Sequence, residues 1–151
     1  MKFSTNNRIT LTVLVLLTTV AACSNPADSE EEHHEEPVGA VLMLNGEEIA
    51  RYENGQVTGG ITLNEGEETA LISIFFLSED GDQFQPDEPE YSLNFDVEDP
   101  TVAEVEQHDE DGKWRFHVHG EAAGTTSIVF SLYHNNHSDF DTDDIPVEVN
   151  S

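Results

Sequence analysis

The chain reads as an antiparallel all-β domain set behind an export signal and an acidic tether, and three observations lead there. Turn signals recur roughly every ten residues beyond Pro37: Asn45-Gly46, Asn54-Gly55, Gly59-Gly60, Glu65-Gly66, Asp80-Gly81, Asp99-Pro100, Asp111-Gly112 and the corner from Gly120 to Gly124. The runs between them are short and rich in Val, Ile, Thr, Phe and Tyr, the residue types that fit a pleated, half-buried surface. No segment carries a helical period.

The first element is 1–22. Lys2 and Arg8 precede an apolar run from Ile9 to Val20, and Val20-Ala21-Ala22 leads to Cys23, the only cysteine. The run is short for a bilayer span, which takes about 20 apolar residues. The pattern resembles a bacterial lipoprotein signal, which implies cleavage before Cys23 and lipidation of its thiol; the alternatives are an ordinary secretory peptide cut near Ala22 and an uncleaved membrane anchor. With Cys23 so used, no disulfide can form within the chain, and the domain must be held by its core or by metal. The second element, 23–37, continues from Cys23 as SNPADSEEEHHEEP. It has no apolar side chain larger than Ala and a block of like charge, so it reads as a disordered tether. Acidic residues after a lipidated cysteine, with Ser24 beside it, resemble the signals of outer-membrane and surface lipoproteins and imply an outer rather than inner membrane.

The third element, 38–151, is long enough for one domain and too short for two. Val41–Leu44 and Glu48–Tyr52 flank Asn45-Gly46, a pair that tolerates positive φ and favours a two-residue hairpin. Further strands are expected at Val57–Leu63, Ala70–Leu77, Tyr91–Val97, Val102–Glu106, Trp114–His119, Ser127–His134 and Ile145–Val149. Alternation turns Trp114, Phe116 and Val118 inward and Arg115, His117 and His119 outward, and sets Ile128, Phe130 and Leu132 against Val129, Ser131 and Tyr133. Leu71, Phe75 and Leu77 are expected to join the core.

Within this domain, Ile61 leads to Glu65-Gly66-Glu67-Glu68 and Leu71. Asp99-Pro100-Thr101-Val102-Ala103-Glu104-Val105, then Gly112, then Glu121-Ala122-Ala123-Gly124-Thr125-Thr126-Ser127-Ile128 and a closing Val147 and Val149 follow. That order resembles the bacterial immunoglobulin-like domain of group 2, over Ile61 to Val149. The resemblance implies an immunoglobulin-like β-sandwich used as a spacer, adhesive or presenting module. The acidic stretch Ser78 to Glu90 departs from it and implies a large charged loop.

Charge limits the partners. Signal removal leaves Arg51, Lys113 and Arg115 against thirty-two Asp and Glu. Such a field repels phosphates, which excludes nucleic acid, and attracts cations and basic proteins. A saline habitat would select the same acidity for solubility.

Seven histidines stand against five basic residues. His117 and His119, one residue apart on a strand, share a face and form one candidate pair for a metal ion. His134 and His137, in Tyr133-His134-Asn135-Asn136-His137-Ser138-Asp139, leave a strand for a polar loop. In an immunoglobulin-like arrangement that loop would neighbour those of Asp82 and His108, so His134, His137, His108, Asp139 and Asp82 form the main candidate site, suited to zinc or copper. The two histidine pairs are expected at opposite ends, ~20 Å apart at strand rise. Asp139-Phe140-Asp141-Thr142-Asp143 spaces carboxylates as a calcium loop does, but Asp144 and Asn150 stand where an EF-hand needs Gly and Glu. Calcium would therefore need a looser site with Asp80, Asp82 and Asp87. His33 and His34 would scavenge cations from the tether without forming a rigid site.

No nucleophile elbow, phosphate-cradling loop or His-Glu-x-x-His helix appears, and a small sandwich seldom encloses a cleft. The expectation is a non-enzymatic, lipid-anchored envelope module that binds or presents an envelope protein. The alternative is a lipoprotein that binds zinc or copper. The first requires an exposed apolar patch, the second converging ligands.

Overall fold

Asn-Gly turns build the first three strands. β1 (Gly39–Leu44), β2 (Glu47–Glu53) and β3 (Gln56–Gly59) run antiparallel through Asn45-Gly46 and Asn54-Gly55, whose φ angles are 53° and 82°, and 55° and 72°. Positive φ at both central residues matches the right-handed twist of the flanking strands. The structure, a computed structural model, describes residues 36–151; the signal segment, Cys23, His33 and His34 lie outside the described residues.

The strand expected at Val57–Leu63 is two strands, because the chain changes sheet at Gly59-Gly60. Gly59 has φ 75° and a Cβ there would collide with the Ile49 carbonyl, while a Cβ on Gly60 would lie 2.8 Å from the Pro146 carbonyl oxygen. Only glycine permits both approaches. β4 (Ile61–Asn64) then pairs with β12 (Ile145–Asn150) in the one parallel ladder among the described strands, from Val147↔Ile61 to Asn150↔Asn64.

The remaining strands are β5 (Ile72–Leu77), β6 (Gln83–Phe84), β7 (Tyr91–Val97), β8 (Ala103–Glu106), β9 (Arg115–Gly120), β10 (Gly124–His134) and β11 (His137–Asp141). One sheet has the order β3-β2-β1-β5-β9-β8, with β6 on β5; the other has β11-β10-β12-β4, with β7 on the free edge of β10. Facing rings join the sheets: Phe116 to Phe130 at 4.9 Å and Phe76 to Phe140 at 5.9 Å between centroids. Phe76, Phe116 and Phe130 are fully buried in one core cluster drawn from both sheets. The fold is an immunoglobulin-like β-sandwich, all-β and antiparallel apart from the β4–β12 pair.

Three local expectations change. On β5 the inward residues are Ile72, Ile74 and Phe76, each buried, whereas Leu71 and Phe75 are only half-buried. Ile72-Ser73-Ile74-Phe75-Phe76-Leu77 is apolar at five of six positions, so alternation alone could not choose its face. The acidic stretch 78–90 contains β6 and is held down by Gln85 Nε2 donating to the Ile74 carbonyl (2.6 Å) and Trp114 Nε1 donating to that of Pro86 (2.9 Å). His137, expected in a loop, begins β11.

The ends of the sandwich follow from the registers. Gly39 pairs with Glu53 and Leu77, and one residue further in Tyr52 and Phe76 both meet Phe140 at 5.9 Å. Phe140 pairs with Leu132, two residues before His134. Gly39 and the β10–β11 turn therefore share one end of the sandwich.

Candidate metal centre

The β10–β11 hairpin turns on Asn135 and Asn136, with Asn135 at φ 55° in the left-handed region that asparagine tolerates. His134 and His137 become cross-strand partners on either side of that turn. The Asn135 amide donates to the Glu90 carbonyl at 3.0 Å, which ties the turn to the segment entering β7. Two residues beyond His137 the register slips: Tyr133 pairs with Ser138 and Leu132 with Phe140, so Asp139 is the extra residue of a β-bulge. A bulge re-aims a side chain, and this one sends Asp139 back toward the two imidazoles.

One ligand atom each from His134, His137 and Asp139 all lie within 4.8 Å of one another. The Asp139 carboxylate spans the gap, with Oδ1 2.8 Å from His137 Nε2 and Oδ2 3.5 Å from His134 Nδ1. The two rings stand 5.7 Å apart, inclined at 48°. Tyr91 of β7 stacks on His134 at 4.6 Å and 18°, fixing the plane of that imidazole. Burial first, then the negative charges of Asp139, Glu88 and Glu90, raise the Tyr91 phenol above its ordinary pKa. The side chains of His134 and Asp139 are each 28% exposed and that of His137 67%, so an ion entering here meets two partly enclosed ligands and one open imidazole.

Such a trio suits a borderline divalent ion. Nitrogen and oxygen ligands at about 2.0–2.2 Å would sit ~3.4 Å apart in a tetrahedral site, which small side-chain rotations reach from the present spacing. Three protein ligands leave one position for water or an incoming group. Asp139 and Asp141 lie on a ladder strand rather than in a loop, and Asp141 Oδ1 accepts the Ser138 hydroxyl at 2.7 Å.

The structure does not bring His108 or Asp82 into this group. Asp82 closes the β5–β6 turn, its amide donating to Ser78 Oγ (3.2 Å) and its carbonyl accepting the Ser78 amide (3.0 Å). His108 precedes a short 3-10 turn, Asp109–Asp111, in which the Asp111 amide donates to the His108 carbonyl at 3.0 Å. That turn folds the β8–β9 connection back over its own strands, and the His108 ring comes to lie 5.9 Å from that of His117.

His117 and His119 do share a face. Each meets a different oxygen of Glu68: His117 Nδ1 lies 3.1 Å from Oε1, and His119 Nε2 lies 3.6 Å from Oε2. Glu106 approaches His119 at 3.0 Å and Asp111 approaches His117 at 3.7 Å. Sequence reading missed Glu68, Glu106 and Asp111. A signal was present for Glu106, since Ala103-Glu104-Val105-Glu106 alternates in step with Phe116-His117-Val118-His119 and the ladder pairs Glu106 with His117 and Glu104 with His119.

No family model matches the chain, and no curated protein does. Among solved structures it is similar to "Crystal structure of the S-layer protein SbsC domains 4 and 5", at 17% identity and a TM-score of 0.44, over 76% of this chain and 54% of that one. The chain thus spans about half the length of that structure.

Proposed function

We propose that this chain is a non-enzymatic, lipid-anchored envelope module that captures a divalent transition-metal ion, zinc or copper, at the tip of its β10–β11 hairpin. The observation that carries the reading is the convergence of His134, His137 and Asp139, whose ligand atoms all lie within 4.8 Å of one another. The excess of acidic residues concentrates cations around the site without selecting among them, and the two imidazoles supply the selection against calcium and magnesium. The rival reading, docking of a protein through an apolar patch, finds little support, since Val38 at 42% exposure is the large apolar side chain left open among the described residues. Lipidation at Cys23 and an outer-membrane address complete the proposal, and they rest on the signal and tether sequences.

The test is calorimetric titration of zinc, copper and calcium into the detergent-solubilised full chain and into its His134→Ala/His137→Ala variant. A saturable zinc or copper site at about micromolar Kd or tighter, lost in the variant, is the expected result. Equal binding by both proteins would overturn it. In cells, Cys23→Ser moves the protein from the membrane to the soluble fraction if the anchor is as proposed.

A further inference from the structure

The outer face of β8 and β9 holds three imidazoles and three carboxylates that the hairpin site does not use. His117 is the most enclosed of the three histidines, with its side chain 17% exposed. Its Nδ1 lies 2.9 Å from the Thr69 carbonyl oxygen and 3.1 Å from Glu68 Oε1. Both neighbours are acceptors, so Nδ1 carries the hydrogen and donates it. In the neutral ring the lone pair is then on Nε2, and Nε2 faces Asp111 Oδ2 at 3.7 Å. A lone pair facing a carboxylate is electrostatically unfavourable unless a positive centre stands between them.

An imidazole with one nitrogen committed to a carbonyl and a carboxylate, and the other turned outward to a second carboxylate, is the arrangement that metal-ligating histidines adopt. We infer that His117 Nε2 and Asp111, joined by His108, form a second cation site that takes a divalent zinc or copper ion. The 3.7 Å donor separation is close to the ~3.4 Å that tetrahedral ligands at bond length require. His108, with its side chain 41% exposed, its ring 5.9 Å from that of His117 and its Nε2 3.8 Å from Glu106 Oε1, would have to turn to become the third ligand. Glu106 links the group, with Oε1 3.8 Å from His108 Nε2 and Oε2 3.0 Å from His119 Nε2. Glu68 in turn reaches both His117 and His119, so Thr69 and Glu68 are positioning groups and His117, Asp111 and His108 the ligands.

The hairpin trio is the one group among the described residues whose three ligand atoms already converge within 4.8 Å. Because His108 must move, the second site binds more weakly than the first. Its occupancy is independent of the hairpin, which allows a clean test.

The experiment uses the full chain in detergent carrying His134→Ala/His137→Ala, titrated with zinc by calorimetry and with copper(II) by electron paramagnetic resonance. One further equivalent is expected to bind with Kd on the order of 10 micromolar, with nitrogen hyperfine structure from imidazole. Adding His117→Ala, or Asp111→Asn at the 3-10 turn, weakens it at least tenfold. Should His117→Ala fail to fold, the Asp111→Asn protein decides, with native Trp114 fluorescence as its folding check. No saturable binding in the hairpin variant, or binding unchanged by Asp111→Asn, would overturn the proposal.

Discussion

Tyr91 shows how a single residue controls the hairpin site. It is 7% exposed on β7, and its ring lies flat beneath His134. Tyr91→Phe keeps that stack and Tyr91→Leu removes it, so zinc affinity measured by chelator competition is expected to fall about two- to tenfold further in the leucine variant, an aromatic pair being worth about 0.5–1.5 kcal/mol. The phenol also has a pH signature. Because its folded pKa is raised, chiefly by burial, the folded state favours the protonated form. Stability is therefore complete below the unfolded phenol's pKa and declines as pH rises toward and past the folded one, which alkaline unfolding curves of wild type and Tyr91→Phe will show. His134, His137 and Asp139 were legible from residue type and spacing. Tyr91 was not, because stacking on His134 follows from the β7–β10 register, which brings together residues forty-three positions apart.

At the scale of elements, turn chemistry was the most readable feature and the exchange between sheets the least. Asn45-Gly46 and Asn54-Gly55 specify their hairpins locally, and β7 falls at Tyr91–Val97 as expected. By contrast Val57–Leu63 carries β residues on both sides of Gly59-Gly60, and only the approach of Ile49 and Pro146 reveals that the glycines divide it. Gly59→Ala must place a side chain at φ 75° against the Ile49 carbonyl, and a loss of about 1–3 kcal/mol in urea unfolding is expected. An unchanged midpoint would mean that the strand switch tolerates a Cβ. β11 escaped notice for a different reason: His137-Ser138-Asp139-Phe140-Asp141 has one apolar residue, Phe140, and its strand conformation comes from pairing with β10 and from that ring entering the core. The bulge in that strand aims Asp139 at the histidines.

For the molecule as a whole, a formal net charge of −27 opposes compaction, and no disulfide among the described residues resists it. The core supplies cohesion through three fully buried phenylalanines and the aliphatic layers around them. Raising sodium chloride from 0.05 to 1 M, which shortens the Debye length from above 10 Å to about 3 Å, should raise the melting temperature by several degrees; a flat or falling curve would show that repulsion is not what limits stability. The all-β class was legible because composition and punctuation act along the whole chain, whereas the position of His108 was not, because a three-residue turn redirects it. The shared end of Gly39 and the β10–β11 turn gives the molecule an orientation. Within residues 36–151, the start of β1 and the hairpin histidines stand at the same pole of the sandwich. An ion bound by the hairpin would therefore lie at the pole of the sandwich where β1 begins and not at the one where β12 ends, since β12 runs antiparallel to β10 away from the β10–β11 turn.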